Sequence, residues 1–380
     1  MRRARGPLLA LILAGATGVA LAQPGPAETA RAAAEAMRAA SRVLEGAETR
    51  QDRVAALTET VQAYEAGLAA LRAGLRSTAI RERALRLDLE GRQADISRLL
   101  AILGSMQRAP EAQILLHPQG PVAAARAGML LGHVTPVLQA EAEALRGELE
   151  EIALMRALQE SAEAALADGL AEVQTARTAL SQAISERRDL PRRFTADAAR
   201  MQVLLLDSET LDAFAVGLTR LAEDTAPDAA PAGFASLKGR LPLPADATVL
   251  RGFDQPDAAG IRRPGLVLAT RPLALVTAPV TATIRYRGPL LDYGNVMILE
   301  PAEGYLLVLA GLAQVYGAEG EVLPAGHPVG LMGGEDPTTA AFPATTTEGG
   351  GDLRTETLYM ELREGGRPVD PAPWFAQKEN

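Results

Sequence analysis

Hydrophobic positions in the first half of the chain recur at alternating steps of three and four residues. They fall at Val54, Leu57, Val61, Tyr64, Leu68, Leu71 and Leu75, and the register continues through Leu85, Leu89, Ile96, Leu99 and Leu103. This spacing is typical of a heptad seam, in which one face of a helix packs against a partner helix. Because helix breakers are nearly absent from residues 27–103, the pattern predicts one long helix there.

A second seam follows further along the chain and predicts a second long helix over residues 136–188. Its apolar positions are Leu138, Ala142, Leu145, Leu149 and Ile152, then Leu166, Leu170, Val173, Leu180 and Ile184. Two such seams joined by a segment without heptad order indicate an antiparallel coiled-coil hairpin. The joining segment, residues 104–135, contains several prolines, and we expect both helices to break within it.

The predicted tip of the hairpin, near residues 105–135, carries apolar residues outside any heptad order. They are Ile114, Leu115, Leu116, Met129, Leu130 and Leu131. They could form a small helical cap that buries its own hydrophobic side chains. They could equally form a partner-binding surface, because apolar groups at the end of a hairpin have little core to enter. The two interpretations are compatible.

An amphipathic helix is predicted after the hairpin, over residues 208–221. Ser208 can cap its first turn, with Glu209 placed favourably near the helix N-terminus. One face of the helix is apolar: Leu211, Phe214, Leu218 and Leu221. This face must be buried against either the coiled coil or the C-terminal domain, and the pattern alone leaves both open.

From residue 240 onward the periodicity becomes that of β-strands. Short runs rich in Val, Leu, Ile and Tyr alternate with Gly and Pro, at residues 266–268, 281–286, 296–299, 305–309, 329–332 and 358–362. This punctuation predicts a compact antiparallel β domain. The fold class expected for the whole chain is therefore multi-domain, α then β.

The N-terminus reads as an export signal. Arg2, Arg3 and Arg5 precede an apolar run at residues 8–21, which ends in the small-x-small sequence Ala20-Leu21-Ala22. An uncleaved membrane anchor is the alternative, but the run is short of the roughly 20 residues that span a bilayer. We therefore expect a cleaved signal peptide and, for a Gram-negative source, a periplasmic protein.

Composition narrows the possible chemistry. The formal net charge of -9 argues against nucleic acid as the main partner. The chain has no cysteine, which excludes disulfides, thiol catalysis and Cys-bound metals. Its three histidines are His117, His133 and His327, so any histidine-based metal site would have few ligands to draw on.

Five fragments of the β region resemble, in order, the motifs of LytM (lysostaphin-type) metallopeptidases. They are residues 277–284 (TAPVTATI), 293–298 (YGNVMI), 304–312 (GYLLVLAGL), 323–333 (LPAGHPVGLMG) and 358–371 (LYMELREGGRPVDP). The resemblance spans residues 239–375 and implies a duplicated hybrid motif-like fold. Each fragment is weak alone, but five in the right order form a strong signal.

The positions at which active LytM enzymes carry their site residues hold other residue types here. The resemblance places Arg263 and Val267 at the His-x-x-x-Asp zinc ligands, Gly311 at an assisting His, and Thr357 and Tyr359 at the H-x-H pair. These side chains do not supply the N and O ligands that catalytic zinc needs. The chain is thus expected to have no catalytic residues, metal or cofactor, and its groove is expected to bind a protein segment instead.

Signal segment, coiled coil, intervening helix and degenerate LytM domain together resemble the murein hydrolase activator EnvC family. That resemblance implies a protein that binds and activates N-acetylmuramoyl-L-alanine amidases, which split septal peptidoglycan. It further implies that the coiled-coil tip engages an FtsEX-type inner-membrane complex, and that the helix before the LytM domain occludes the groove until it is released. Peptidoglycan is a further expected partner.

Three other interpretations stay open. The LytM-type domain could be retained only as a packing module. The protein could be a peptidoglycan-binding scaffold that positions wall enzymes. It could also be a metallopeptidase with a rebuilt site using Glu361 or His327, although Glu361 reads as a strand residue and His327 as a solvated turn residue.

The predicted organisation assigns each part of the chain a role. Its segments are a signal peptide (1–22), a coiled-coil hairpin (27–190), a helical regulatory segment (191–224), a linker (225–236) and a degenerate LytM-type domain (237–376).

Overall fold

The computed structural model describes residues 50–108, 121–187, 190–194, 197–223, 233–335 and 355–376, with a few single positions between 35 and 43. The predicted signal peptide, tip residues Ile114, Leu115 and Leu116, and most of the predicted linker lie outside the described residues. Within the described part, no helix combines the length and apolarity needed to cross a membrane.

The N-terminal part is helical and consists of long helices followed by two short ones. The helices are α1 (Arg50–Gly91), α2 (Gln93–Arg108), α3 (Pro121–Glu186), α4 (Ala198–Asp207) and α5 (Leu211–Glu223). The predicted first helix is interrupted by a turn at Arg92. Backbone hydrogen bonds from Arg92 N to Asp88 O (3.1 Å) and from Ile96 N to Arg92 O (2.9 Å) nevertheless carry the helical pattern across this turn.

The predicted break over residues 104–135 is wrong at both ends. Helix α2 continues to Arg108, and α3 already begins at Pro121. A proline is tolerated in the first turn of a helix because its missing N–H would have no intrahelical partner there. Pro136 lies at an exposed position inside α3, and the helix continues through it although proline cannot donate the backbone hydrogen bond.

Part of the predicted tip is therefore ordinary helix. Met129, Leu130 and Leu131 belong to α3, and the Met129 side chain is 71% exposed. The helical cap and the partner-binding surface both remain predictions for the residues between Arg108 and Pro121.

Helices α1 and α3 pack against each other in antiparallel fashion. Near the β domain their contact is apolar, with Val54, Leu57, Val61 and Leu68 of α1 buried against Leu166, Val173, Leu180 and Ile184 of α3. Farther away the contacts become polar, as in the ion pairs Arg81–Glu151 and Glu82–Arg156, both 3.0 Å. The predicted seam thus forms a buried contact close to the β domain, while coiled-coil geometry over the full length stays a prediction.

The C-terminal part is an antiparallel β-sheet domain. Its strands are β1 (Ala247–Arg251), β2 (Leu266–Thr270), β3 (Leu275–Thr277), β4 (Ala282–Pro289), β5 (Asn295–Ala302), β6 (Tyr305–Val315), β7 (Val322–Leu323), β8 (Pro328–Met332), β9 (Glu356–Glu364) and β10 (Arg367–Val369). The main path is β1-β2-β9-β6-β5-β4-β7, with β8 joining β6 to β3 and β10 pairing with β9.

Side-chain alternation along the strands gives the sheet two buried faces. On β9, Leu358, Met360 and Leu362 point into the main core of the domain. Tyr359 points to the opposite face, where α5 packs. The base of the hairpin makes a third apolar contact, with Leu275, Tyr316 and Leu331 near strands β3 and β8.

Candidate functional site

Four of the five predicted groove residues come together on adjacent strands. Tyr359 of β9 pairs with Val267 of β2 on one side and with Ala310 of β6 on the other. Gly311 follows Ala310, and a Cβ added to it would lie 2.7 Å from the carbonyl oxygen of Thr357. Strand pairing therefore gathers these positions although nearly a hundred residues separate them in the chain.

Arg263, the fifth predicted groove residue, lies just before β2. The ring of Tyr293 lies between its guanidinium group and Tyr359. The guanidinium carbon of Arg263 is 5.6 Å from the ring centroid of Tyr293, and that ring is 5.8 Å from the ring of Tyr359. Tyr293 is a site residue that the sequence reasoning missed. The signal was available, because Tyr293 opens the fragment at residues 293–298 that resembles a LytM motif.

The Tyr359 side chain occupies the middle of the site. Its ring lies so close to Gly265 that a Cβ there would be 2.7 Å from two ring carbons. Its hydroxyl donates a 2.6 Å hydrogen bond to Glu361 Oε2. Burial, and the neighbouring Glu361 carboxylate, raise the pKa of Tyr359, so the residue is a neutral phenol with its proton already committed.

Glu361 and Arg363 extend this polar arrangement along the same face of β9. Arg363 Nη1 donates to Glu361 Oε1 at 2.5 Å, and Arg363 Nη2 donates to Gly366 O at 2.6 Å and to Asp212 Oδ1 of α5. Burial raises the pKa of Glu361, an effect opposed by its hydrogen bonds from Tyr359 and Arg363. Both oxygens of Glu361 already accept hydrogen bonds, which leaves this carboxylate a structural role rather than that of a general base.

Helix α5 covers this face of the sheet. Leu211, Phe214 and Leu218 are almost fully buried, in one cluster with residues of β4, β5, β6 and β9 that includes Tyr359. The ring of Phe214 meets that of Tyr286 edge-on, with a centroid distance of 4.9 Å. Leu221 is half-buried. Of the two surfaces left open by the sequence, the β domain is the one against which the apolar stripe packs.

The start of this helix differs from the expected one. Asp207 is the last residue of α4, Ser208 is its C-cap in an extended conformation, and α5 begins at Leu211. Thr210 rather than Ser208 caps α5, because its Oγ1 accepts a 3.1 Å hydrogen bond from Ala213 N. A capping side chain accepts a hydrogen bond from the backbone N–H two or three residues further on. Ser208 and Thr210 are both residue types that cap helices, so the sequence alone did not distinguish them.

The residues at the expected zinc-ligand positions do not fit a zinc ion. Val267 has no side-chain ligand atom, the Arg263 guanidinium is cationic, and the Tyr359 hydroxyl is bound to Glu361. Gly311, at the position of an assisting His, has no side chain. Catalytic zinc needs three N or O ligands that converge on it. In the part of the chain that the structure describes, no group of three or more His, Cys, Asp or Glu residues is placed to hold a metal.

His327 is buried, which corrects the expectation of a solvated turn residue. It precedes β8, is 8% exposed, and its Nε2 has no hydrogen-bond partner among the described residues. Burial, together with the positive charge of Arg187, lowers its pKa to about 4. Since Glu361 faces α5 while His327 faces the end of α3, the two candidates for a rebuilt site are not brought together.

Comparison with known protein families identifies the type of the β domain. Residues 262–371 match the profile of Peptidase family M23, so this part of the chain is an M23 (LytM-type) domain. The molecule is therefore a helical N-terminal part followed by a compact antiparallel β domain of M23 type.

Individual relatives resemble only part of the chain. The uncharacterized protein NMB1333 of Neisseria meningitidis serogroup B is 27% identical over 143 residues, which cover 38% of this chain and 21% of that protein. The chain thus spans about a fifth of the length of this curated relative.

Among solved structures, Helicobacter pylori Csd3 is 17% identical with a TM-score of 0.28, covering 37% of this chain and 36% of that chain. A zinc-containing peptidase from Vibrio cholerae is 20% identical with a TM-score of 0.28, covering 37% and 40% respectively.

Proposed function

We propose that this protein is a non-catalytic activator of peptidoglycan amidases, of the N-acetylmuramoyl-L-alanine type, in septal cell-wall splitting. The observation that carries this proposal is the position of α5. Its apolar residues Leu211, Phe214 and Leu218 fill the face of the M23 domain on which Val267 and Tyr359 lie. A surface that already holds an amphipathic helix is suited to hold another one.

The chemistry of this face favours binding over hydrolysis. The three expected metal positions carry an arginine, an apolar valine and a tyrosine that is hydrogen-bonded to Glu361. The buried residues around Phe214 are mostly Leu, Ile, Val and Tyr, with Arg363 as a charged group at the edge of α5. Such a surface offers apolar anchoring with one polar contact that fixes orientation.

Regulation in this proposal is a shift between two populations. In the closed state α5 occupies the groove, and in the open state an element of the amidase replaces it. The hairpin tip, near residues 105–135, would engage an FtsEX-type complex of the inner membrane, whose movement favours the open state. The activator itself needs only a difference in affinity for the two states, with no chemistry of its own. In this proposal the predicted signal peptide directs the protein to the periplasm of a Gram-negative cell.

The experiment is dye release from labelled peptidoglycan by the purified mature chain, with and without a periplasmic amidase from the same organism. A second protein lacks residues 208–221, so that α5 no longer covers the groove. We expect release only when the amidase is present, and more release with the deletion protein than with the full chain.

Three other results would overturn the proposal. Release by the chain alone would indicate a hydrolase with a rebuilt site. Wall binding without any change in amidase turnover would indicate a scaffold. Equal stimulation by the full chain and the deletion protein would remove the restraining role from α5.

A further inference from the structure

A short segment between the hairpin and α4 is attached to the edge of the β domain. The carbonyl oxygen of Pro191 accepts a 2.9 Å hydrogen bond from Val322 N, and Arg193 N donates a 2.9 Å hydrogen bond to Gly320 O. Arg192 forms an antiparallel bridge with Glu321 between these two bonds. Because β7 ends the main strand path, residues 190–194 act as a short additional strand on its outer edge.

Side chains reinforce this attachment. The ring of Phe194 lies over the guanidinium carbon of Arg285, 4.6 Å from the ring centroid. Arg285 itself is nearly buried on β4 and pairs with Glu300 of β5 at 3.6 Å. A cation against an aromatic face is more strongly attracted when it is removed from water, so Phe194 is held by a charge that the β domain itself positions.

The backbone of the segment passes over Gly320 at very close range. A Cβ added to Gly320 would lie 2.1 Å from the carbonyl oxygen of Phe194, and the glycine has a φ of +85°. Gly326 has nearly the same φ, +79°, yet a Cβ there would meet nothing within 4 Å. The same Gly→Ala change would thus strain the backbone similarly at both sites, but would push on the segment only at Gly320.

The attachment lies on the only covalent path from the hairpin to the helices over the groove. Helix α3 ends at Glu186, and α4 begins at Ala198, capped by Asp197 Oδ1 through a 3.1 Å hydrogen bond from Ala199 N. Helix α4 then packs closely on α5, since a Cβ on Gly217 would lie 2.2 Å from Leu204 Cδ1. The segment therefore fixes the place from which α4 and α5 start.

We propose that residues 190–194 form a latch that keeps α4 and α5 seated, and that its detachment from β7 is the step by which hairpin movement reaches these helices. The functional meaning of this latch rests on the proposed role of α5 as the restraint on the groove. The simpler alternative is that the segment only covers an exposed sheet edge, which proteins commonly protect against unwanted pairing.

Amide hydrogen exchange of the whole chain distinguishes the two, with wild type, Gly320→Ala and the matched control Gly326→Ala compared. In Gly320→Ala we expect exchange to rise about tenfold or more at the amides of Arg193 and Val322, which donate the two backbone hydrogen bonds of the attachment. Exchange should rise in residues 198–223 as well. In Gly326→Ala all of these amides should exchange as in the wild type.

The variant Phe194→Ala repeats the test without altering the backbone of the β domain, in case Gly320→Ala fails to fold. Faster exchange confined to the amides of Arg193 and Val322 would overturn the latch and leave an edge cover. Unchanged exchange of these two amides in both variants would show that the attachment is not held by these contacts. Because no amidase takes part in this experiment, a failure of the proposed function would not be mistaken for a failure of the latch.

Discussion

The M23 domain carries helices on two of its faces, and the two attachments differ in where their charges lie. On the groove face, Arg363 is 1% exposed but its partner on α5, Asp212, is 69% exposed. At the other attachment, the hairpin base, the ion pair between Glu65 of α1 and Arg177 of α3 has side chains that are only 13% and 7% exposed. Both attachments also contain an apolar cluster.

This difference determines what each face loses when its helix leaves. Without α5, Arg363 still donates to Glu361 and to Gly366 O, so no buried charge is left without a partner. Without the hairpin base, Leu275 N would lose Glu65 Oε1, its 3.1 Å acceptor, and Arg271 would lose the carbonyl oxygen of Glu65. This difference supports the proposed role of α5 as a helix that can leave the groove face, because its departure leaves Arg363 with partners.

The largest effect is expected from breaking the buried pair at the hairpin base. Arg177→Met would leave the Glu65 carboxylate buried without its main partner, and we expect the free energy of unfolding to fall by about 3–5 kcal/mol. Urea denaturation measures it. The control is Arg146→Met, which removes an ion pair whose partners are both more than 70% exposed and should change stability by about 0–1 kcal/mol. Equal effects of the two variants would contradict the comparison.

Phe214→Ala should detach α5 while the hairpin stays in place. We expect the docking of α5 to weaken by about 3 kcal/mol, at the lower end of the range for a buried phenylalanine, because a detached helix leaves no closed cavity. Hydrogen exchange of residues 211–223 is the measurement. Leu206→Ala removes an apolar side chain that is 84% exposed and should leave that exchange unchanged. The prediction would be wrong if the α5 amides of Phe214→Ala stayed as protected from exchange as those of the wild type.

Acid should weaken the hairpin side through His327. Its pKa of about 4 in the folded protein lies below the ordinary 6.5, so the unfolded chain takes up the proton first. The stabilisation is present above pH 6.5 and lost as the pH falls to about 4, by up to about 3 kcal/mol. Glu65, Glu300 and Glu361 have raised pKa values and act in the opposite direction.

The contribution of His327 is the difference between the pH dependence of the free energy of unfolding of the wild type and that of His327→Gln. The carboxyl groups are common to both proteins, so their effect cancels. Urea denaturation at both ends of that pH range should show a smaller acid loss in the variant. The exposed His133→Gln serves as control and should behave as the wild type. Identical pH profiles for all three proteins would show that His327 is hydrated in solution.

The smallest effect is expected from the exposed half of the groove-face ion pair. Asp212→Asn should weaken α5 docking by about 1 kcal/mol or less, because the exposed carboxylate is well solvated in either state. A rise of a few-fold in the exchange of residues 211–223 is the expected reading, with Asp212→Glu near wild type. A loss as large as that of Phe214→Ala would show that the ion pair, rather than the apolar stripe, holds α5.

Patterns of hydrophobic spacing predicted much of this fold. A helix that buries one face repeats the same apolar spacing at every turn, so this signal survives a few exceptions. It predicted the seams of α1 and α3 and the apolar stripe of α5, formed by Leu211, Phe214 and Leu218. The M23 domain followed from five ordered fragments. Strand pairing places Val267, Gly311, Thr357 and Tyr359 near one another, while their role as a partner-binding groove stays a prediction.

Other features depend on single contacts between distant residues, which spacing does not encode. Proline usually kinks or ends a helix when it lies in the interior, yet α3 continues through Pro136. His327 is buried in the turn before β8, near enough to Arg187, which follows α3, for that charge to lower its pKa. The Arg363–Asp212 contact joins residues 151 positions apart, and neither residue type is unusual in its own segment.

The most direct test of the central claim uses the dye-release assay with two substitutions. Phe214→Ala uncovers the groove, and Tyr359→Ala alters the groove itself. Phe214→Ala should raise amidase-dependent release above that of the full wild-type chain, because the groove is uncovered. Adding Tyr359→Ala to Phe214→Ala should abolish that gain, because the uncovered face loses its central side chain. Release without amidase, or a gain that survives the loss of Tyr359, would contradict a non-catalytic groove restrained by α5.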